Sequence, residues 1–512
     1  MMSEIRTNKT IAWNTLFLYF RMALVTVVGL FTSRVILQFL GINDYGIYNV
    51  AGSIVALFSF LTGALGGSSS RFITIEIGKV KDNDHTALIN CFKTTRSIHA
   101  ILASFVFIIA ESIGLWVLYM KCNIPADRLT AAMWVYQMSV LTSLLNITQI
   151  PFTALIIAHE RMSIYAYVSI FEVTAKLLVC YLLVISPIDK LVFYAILLLI
   201  VQILTLGTYR IYCIRNFAEC KLGYHIDKTF FKPLMSFSFW NLFGSLSYSA
   251  LTQGATILIS FFFNPALVAA RSIANVVKNQ VSNFVNNFRL AVNPQILKRH
   301  SSGDIEGSRR LLFFSCNISF YLMLIIVLPL LFETQFVLRL WLDEVPQFTT
   351  EFLQIVLLEM LVYVYDVTFY QIFQAEGRLK ENAIICPITD FIVLAIIYVL
   401  YKYGGSVLWI AWGMLFLTIV QGMIVKPYLA VSYFAYEWRN FIRVYLNNLC
   451  VLVASLPIPA LITCYKNEYY GWNVLTIVVS VISACASAYI LGFNKQERLH
   501  FNQIIMRKFL HK

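Results

Sequence analysis

Long apolar segments alternate with short polar connections along the whole chain. About 20 consecutive apolar residues suffice for a helix to cross a bilayer, and many of these segments exceed that length. Apolar windows predict about fourteen spans, at residues 11–40, 46–77, 90–119, 130–157, 163–186, 191–213, 233–262, 266–296, 309–333, 350–375, 382–401, 405–430, 440–463 and 472–493. The pattern therefore predicts an all-α polytopic membrane protein with about fourteen transmembrane helices.

The order of spans and loops repeats within the chain. Span 1, the link ILQFLGINDYGIYN and span 2 have the same layout as span 7, the link ILISFFFNPALVAA and span 8. The segment 158–162 at the end of span 4 likewise matches 375–379 at the end of span 10. Six spans per unit give two lobes of the same orientation. The predicted boundaries are an N-terminal six-helix lobe at 1–216, a cytoplasmic linker at 217–232, a C-terminal six-helix lobe at 233–431, and two extra helices with a cytoplasmic tail at 432–512.

Composition supports a membrane location. The chain is 59% hydrophobic and only 13% charged, whereas a soluble protein carries about 25% charged residues. The first ten residues lead into an apolar helix without a small-residue cleavage site, so we expect no removable signal peptide. The ten cysteines form no CxxC pair and the seven histidines are scattered, so we expect neither a metal site nor a cofactor.

The formal net charge of +13 would suit either nucleic acid or the usual excess of cations on the cytoplasmic side of a membrane protein. Most of the 39 lysines and arginines fall on alternate connections between the predicted spans. This distribution favours the membrane explanation and argues against a nucleic-acid partner. It also predicts that both termini are cytoplasmic.

A cationic face on span 8 is the most unusual polar feature of the spans. Arg271, Lys278 and Arg289 are separated by seven and then eleven residues, so they return to one face of a helix. The polar side chains on or beside this face include Asn275, Ser282 and Asn286. The face could bind an anion, but pairing with buried acids or snorkelling of the outer two cations would also explain it. Lys278 lies in mid-span, where snorkelling is hardest.

Further cations and polar side chains lie in spans 1, 2 and 7. Arg21 and Arg34 occupy span 1, and Arg71 occupies span 2. Span 7 is rich in serine and threonine and carries Asn241 and Gln253. These groups suit a water-filled cavity, although hydrogen bonds between helices would also use them. We expect this set to form the second wall of a cationic cavity.

Acidic residues within the spans admit two interpretations. Glu172 and Lys176 lie four residues apart on span 5, so we expect them to pair with each other. Asp366 and Asp390 lie in the C-terminal lobe. They could pair with its cations or carry a coupling proton or sodium ion.

Several motifs resemble one family of membrane transporters. They are Ser33-Arg34-Val35, the link from Leu40 to Tyr48, the Gly/Ser-rich segment from Gly63 to Phe72, and the Ala-x-x-Arg ends of spans 4 and 10. The chain resembles the polysaccharide-export flippases of the multidrug/oligosaccharidyl-lipid/polysaccharide (MOP) superfamily, which translocate O-antigen and capsule repeat units. The resemblance implies two six-helix lobes around a central cavity lined by spans 1, 2, 7 and 8. It also implies alternating access and a substrate of undecaprenyl-diphosphate-linked oligosaccharide.

We therefore expect a transporter, and not an enzyme, that flips this glycolipid from the cytoplasmic to the periplasmic leaflet of the bacterial inner membrane. Its expected partners are the glycolipid and membrane lipids, with the polysaccharide polymerase machinery as a candidate. A lipid II flippase and a drug/cation antiporter of the same superfamily are alternatives, but span 1 lacks the acid expected of the antiporter. A membrane-embedded polymerase is a third alternative. It should have a large outer loop, whereas the longest outer connections here, 120–129 and 334–349, are short.

Overall fold

The computed structural model describes residues 2–80, 84–221, 223–465, 470–493 and 498. For residues 2–25, 64, 162–163, 165–166, 236–241 and 290–291 it describes the backbone alone. These ranges are helical nearly throughout and contain no strand, so the predicted all-α fold is confirmed. The helices are α1 (Met2–Ala56), α2 (Ser59–Lys79), α3 (Thr86–Ile109), α4 (Leu115–Met120), α5 (Leu129–Ala158), α6 (Met162–Leu182), α7 (Lys190–Asn216), α8 (Lys228–Phe262), α9 (Pro265–Ser301), α10 (Ile305–Phe332), α11 (Thr334–Trp341), α12 (Thr349–Ala375), α13 (Lys380–Lys402), α14 (Trp409–Ile419), α15 (Lys426–Phe434), α16 (Trp438–Ser455), α17 (Pro457–Tyr465) and α18 (Tyr470–Ser487).

The predicted spans correspond to these helices or to runs of consecutive ones. Single π-helical turns at Ala110–Gly114 and Val420–Val425 join α3 to α4 and α14 to α15 without ending the span. By length and composition, 11 stretches of the described chain could cross a membrane. Helix α9 is not among them, which agrees with the cations and amides that it carries.

The first connection differs from the sequence prediction. The pattern predicts a link between residues 40 and 46, but α1 continues to Ala56 and leaves helical geometry only at Gly41, with φ 78° and ψ 168°. The helical path is interrupted at Leu57 and Phe58 instead, just before α2. Positive φ is open to glycine and strained for other residues, so one glycine changes the direction of the chain where a loop was expected.

The chain forms two compact units. The first comprises Met1–Ser272 with Asp390–Val407, and the second comprises Ile273–Thr389 with Leu408–Lys512. In the first unit α5 packs against α1, α2, α3 and α7, and Phe92 meets Phe152 edge to face at 5.6 Å. In the second unit α10 packs against α12, α16 and α18, and Phe369 meets Phe441 edge to face at 5.0 Å. The lobe boundaries drawn from the sequence stay a prediction.

Candidate functional site: a polar cavity within the first unit

The first unit contains a cavity of about 850 Å³, which we call the polar cavity. Helices α1, α2, α5, α6 and α7 enclose it. Many of its lining residues carry hydroxyl or amide side chains, among them Tyr48, Thr142, Asn146, Gln149, Gln202 and Tyr209. An apolar bilayer cannot satisfy such groups, so their enclosure inside the unit points to a site for water or a polar ligand.

Helix α5 supplies the largest polar face of this cavity. Ser139, Ser143, Asn146, Gln149 and Thr153 follow one another at intervals of three or four residues, and all five line the cavity. That spacing places them on one face of a helix. Val140, Ile147 and Leu155 lie off this face and are buried in the unit. The periodicity of α5 therefore explains why one side of it is polar and another is packed.

Hydrogen bonds between α5 and α7 hold the amide groups in place. Gln202 donates to Asn146 Oδ1 at 2.7 Å. Arg210 donates to Gln149 Oε1 at 3.0 Å and to Thr148 Oγ1 at 2.8 Å. These contacts set the orientation of amides that would otherwise rotate freely in the cavity.

Glu172 and Lys176 are the only charged side chains that the described lining residues contribute to this cavity. They form an ion pair on α6 at 2.6 Å, as the four-residue spacing predicts, so this prediction is confirmed. Their side chains are 33% and 42% exposed. Because the two charges neutralise each other, the lining carries no net charge.

Aromatic and charged groups gather where α1, α5 and α7 approach one end of the cavity. Tyr48 meets Tyr194 edge to face at 5.1 Å, and both line the cavity. One helical turn from Tyr48, Asp44 is paired with Arg128. Arg128 also pairs with Asp189 at 2.6 Å. One arginine thus ties the bend of α1 to the starts of α5 and α7.

The environment of Asp189 changes its acidity. Burial raises the pKa of this carboxyl, but the hydrogen bond from Arg128 and those from the amides of Val192 and Leu191 outweigh burial. The pKa of Asp189 therefore lies below its ordinary value. The same amide contacts make Asp189 the N-cap of α7.

A second pocket, of about 540 Å³, adjoins the polar cavity. Gly66 and Ile157 line both spaces. Arg71 lines the second pocket together with Ser70 and Thr74. Among the predicted cations whose side chains are described, Arg71 is the one that lines either of these two pockets. The guanidinium and the Ser70 hydroxyl are suited to donate to an anion, whereas the Thr74 hydroxyl donates to the carbonyl of Ser70 at 2.7 Å.

The other predicted residues of the first unit lie elsewhere. The side chains of Arg21 and Asn241 lie outside the described residues, although α1 and α8 include both positions. Arg34 and Gln253 are half-buried and line neither of the two pockets. Whether any of the four contacts a ligand stays a prediction.

Arg271 is 5% exposed and fastened within the first unit. It donates to the hydroxyl of Thr256 and, at 3.3 Å, to the carbonyl of Thr252, both on α8. These contacts join α8 to the start of α9. These two acceptors are neutral, whereas the alternative drawn from the sequence was pairing with a buried acid.

In the second unit Lys278 has an acidic partner. Its ammonium lies 2.7 Å from Glu359 Oε1 on α12, and Thr418 donates to the same oxygen at 3.3 Å. Glu359 is 7% exposed and Lys278 is 23% exposed. The mid-span cation that the sequence left without an explanation is therefore neutralised by a carboxylate that is 81 residues away in the chain. Asn275 and Ser282, one turn to either side, are half-buried.

Arg289 and the two candidate coupling acids are also engaged. Arg289 donates to Asn286 Oδ1 at 3.2 Å and to the carbonyl of Val367 at 2.6 Å. Asp366 pairs with the buried Lys426 at 2.5 Å. In the first unit, Asp390 accepts a hydrogen bond from Ser247 at 2.5 Å. Their roles in ligand binding or ion coupling stay predictions.

Sequence reasoning missed the polar cavity because it followed charge. The wall residues of α5 and α7 are neutral, so they did not stand out beside the arginines. The repeat of Ser139, Ser143, Asn146 and Gln149 along one face of an otherwise apolar span was the available signal.

Comparison with known proteins supplies an independent line of evidence. The sequence model of the polysaccharide biosynthesis protein family matches residues 11–300, which is more than half of the chain. No curated protein sequence matches. Among solved structures, the lipid II flippase MurJ in an inward closed conformation is similar at 15% identity, with a TM-score of 0.70, over 93% of this chain and 98% of that chain.

Two other solved structures are also similar. An inward-facing multidrug resistance MATE family transporter of the MOP superfamily is 13% identical, with a TM-score of 0.67, over 80% of this chain and 94% of that chain. A MOP superfamily transporter from Pyrococcus furiosus is 12% identical, with a TM-score of 0.53, over 81% of this chain and 96% of that chain. At these identities the likeness shows a shared fold.

Proposed function

Because the chain belongs to the polysaccharide biosynthesis protein family, a family of membrane transporters in the MOP superfamily, we propose that it flips a polyprenyl-diphosphate-linked oligosaccharide. The direction is from the cytoplasmic to the periplasmic leaflet of a bacterial inner membrane, by alternating access. The substrate is a repeat unit of O-antigen, capsule or exopolysaccharide. Both termini face the cytoplasm in this proposal, and the polysaccharide polymerase machinery is a candidate partner.

The polar cavity is the observation that carries this proposal. Its volume of about 850 Å³ lies within the range of about 300–1,000 Å³ that is usual for ligand sites. Sugars present many hydroxyl groups, and the hydroxyl and amide side chains of α5 and α7 can donate to and accept from them. Tyr194 and Tyr209 add aromatic surface to the same wall.

The adjoining pocket with Arg71 supports a site for the diphosphate. A guanidinium binds phosphate oxygens through two parallel hydrogen bonds. With the diphosphate at Arg71 and the sugars in the polar cavity, the polyprenyl chain would remain in the lipid. An inside-negative membrane potential would favour outward movement of the anion by about 2.3 kcal/mol per charge per 100 mV.

Contributions from the other predicted cations form the second part of the proposal. We propose that Arg21, Arg34, Arg271, Lys278 and Arg289 also contact the diphosphate. Lys278 would have to leave Glu359 to do so, because the pair is closed in this structure. A diphosphate carries more negative charge than one carboxylate, so it could compete for that ammonium.

The alternative of lipid II as the substrate has one observation in its favour, the TM-score of 0.70 with the lipid II flippase MurJ over 93% of this chain. The two functions share a polyprenyl diphosphate and differ in the sugar. They are separated by offering both lipids to the same protein.

The test uses full-length protein in liposomes with fluorescent undecaprenyl-diphosphate trisaccharide or fluorescent lipid II, and a membrane-impermeant quencher that reads the outer leaflet. We expect flipping of the trisaccharide lipid. Arg71→Ala should lower its rate by about tenfold or more, because a charge-assisted hydrogen bond contributes about 1.5–3 kcal/mol. Arg71→Lys should retain part of the rate.

Arg215→Ala removes an exposed cation at the end of α7 and serves as the matched control. Flipping of lipid II alone would replace the proposal with the alternative. An Arg71→Ala rate equal to that of Arg215→Ala would remove Arg71 from the diphosphate site.

A further inference from the structure

Three buried polar atoms on the lining of the polar cavity have no hydrogen-bond partner among the described residues. They are Thr32 Oγ1 on α1, Gln149 Nε2 on α5 and Thr205 Oγ1 on α7, and the last two lie on the wall that α5 and α7 form. Gln149 is 4% exposed and Thr205 is 3% exposed, and both line the cavity. Leaving such a group unsatisfied costs about 1–3 kcal/mol. Two of them on one wall indicate that something in the cavity completes their bonding.

The orientation of the Gln149 amide follows from its neighbour. A guanidinium can only donate hydrogen bonds, so the amide atom that faces Arg210 Nε at 3.0 Å must be the oxygen. Arg210 is itself held by Thr148 at 2.8 Å and lies over the ring of Phe152 at 5.5 Å. The amide therefore cannot flip, and the described residues leave its two N–H groups without an acceptor. Donation from a cation to the oxygen also polarises the amide and strengthens those N–H donors.

Gln149 and Thr205 lie at the same depth of the unit. Helices α5 and α7 run in the same direction. Gln202 contacts Asn146 and, further along both helices, Cys213 contacts Phe152, so the separation in sequence between the contacting residues stays nearly constant. Gln149 and Thr205 each lie three residues beyond the Asn146–Gln202 bond. At a rise of about 1.5 Å per residue, Gln149 and Thr205 therefore lie at equal distances along their helices from that hydrogen bond.

The surroundings of this pair indicate the class of ligand. Ile150 and Leu206, beside Gln149 and Thr205 in the chain, line the cavity as well. The one ionic pair on the lining, Glu172 with Lys176, is internally neutral. The described lining of the site thus combines an N–H donor, a hydroxyl and apolar surface with no net charge, and the cation beside it, Arg210, donates to Gln149 and Thr148. An uncharged sugar ring offers matching acceptors, hydroxyls and an apolar C–H face.

We infer that Gln149 and Thr205 form a subsite for an uncharged sugar ring of the transported glycan, with Arg210 as the residue that positions Gln149. This inference rests on the proposed function and names the part of the substrate that the polar cavity binds. The recognised group is a hydroxyl or an acetamido group, since both accept from an amide N–H.

The variants are chosen to preserve packing. Gln149→Glu keeps the shape and the contact with Arg210 but replaces the N–H donors with an acceptor. Thr205→Val removes only the hydroxyl. Thr208→Val is the matched control on the same helix, because Thr208 is exposed and its hydroxyl donates to the carbonyl of Leu204 at 2.9 Å.

Binding is measured by saturation-transfer NMR on the full-length protein in lipid nanodiscs. The probes are methyl β-D-glucoside, methyl N-acetyl-β-D-glucosaminide and methyl β-D-glucuronide. Inorganic pyrophosphate, which has no carbon-bound proton, is followed by the broadening of its phosphorus-31 signals. We expect both neutral glycosides, or only the acetamido one, to bind. Gln149→Glu and Thr205→Val should each weaken that binding by about two- to tenfold, which is the value of one hydrogen bond. Thr208→Val should leave it unchanged, and pyrophosphate binding should be equal in all four proteins.

The positioning role of Arg210 is read from a double-mutant cycle. Arg210→Met should weaken glycoside binding, and Arg210→Lys should restore it because lysine still donates to the amide oxygen. Arg210→Met should have no further effect once Gln149 is alanine. An equal loss in both backgrounds would show that Arg210 only supports packing.

Unchanged binding of the neutral glycosides in Gln149→Glu and Thr205→Val would overturn the subsite and leave the unpaired atoms to water. So would tighter binding of the glucuronide than of either neutral probe. The flipping assay is separate from these measurements. Loss of glycoside binding in the variants, without flipping of lipid-linked glycan by the wild type, would retain the subsite and reject the proposed function.

Discussion

Lys278→Met removes the cation that faces Glu359 in the second unit and keeps most of the apolar stem of the side chain. Glu359 is 7% exposed, and Thr418, at 3.3 Å, remains as its donor among the described contacts. Removing one partner of a buried ion pair costs about 3–5 kcal/mol. Since Lys278 is 23% exposed, water partly screens the pair, and we expect a loss near the lower end, about 3 kcal/mol.

The measurement is the free energy of unfolding by SDS in mixed micelles. Lys278→Met combined with Glu359→Gln should recover most of the loss, because neither charge is then left alone in the unit. Lys176→Met on α6 is the control, since its pair with Glu172 is 42% and 33% exposed and should contribute less than about 1 kcal/mol. A double variant as unstable as Lys278→Met, or a Lys278→Met loss no larger than that of Lys176→Met, would refute this reasoning.

The same variants separate a structural from a transport role for Lys278. If the ammonium binds the diphosphate, Lys278→Met should lower flipping, while Glu359→Gln should retain it because the cation is still present. If the pair acts only in packing, flipping should follow stability in both variants and recover in the double variant. The liposome assay distinguishes these outcomes.

Three further predictions concern the first unit. Gly41→Ala should destabilise the protein by about 1–3 kcal/mol, since Gly41 has a φ of 78° and a ψ of 168°, a region open essentially only to glycine. Gly52→Ala, inside α1 with nothing within 4 Å of its added carbon, should instead stabilise the protein by up to about 1 kcal/mol. Because the pKa of Asp189 is lowered, the contacts of its carboxylate stabilise the fold above about pH 4 and are lost on acidification. Asp189→Asn should therefore flatten the decline in the free energy of unfolding between about pH 5 and pH 3. An unchanged decline would contradict this role of Asp189. Ser143 lies on the cavity wall, whereas Ile147 is fully buried. The thiol of Ser143→Cys should therefore react with a small water-soluble reagent at least about tenfold faster than that of Ile147→Cys. Equal rates would mean that the cavity is closed to water.

The helices themselves could be predicted from sequence because each depends on local composition. A run of apolar residues long enough to cross a bilayer identifies a helix without knowledge of its neighbours. The pairing of Glu172 with Lys176 could be predicted for the same reason, since a spacing of four residues on a helix brings them together. The bend at Gly41 could not, because a glycine within a helical pattern does not reveal whether its φ is positive.

The sequence by itself determined the class of protein, the course of the helices and the unusual polarity of α9. Only the tertiary structure decided which polar groups satisfy one another. Arg271, Lys278 and Arg289 looked alike as a stripe, yet their partners are Thr256, Glu359 and Val367. The physical reason is that a buried charge or amide must find a partner, and those partners lie on other helices at separations that no local pattern encodes. For the same reason, the unpaired atoms of the α5–α7 wall are visible only in the tertiary structure.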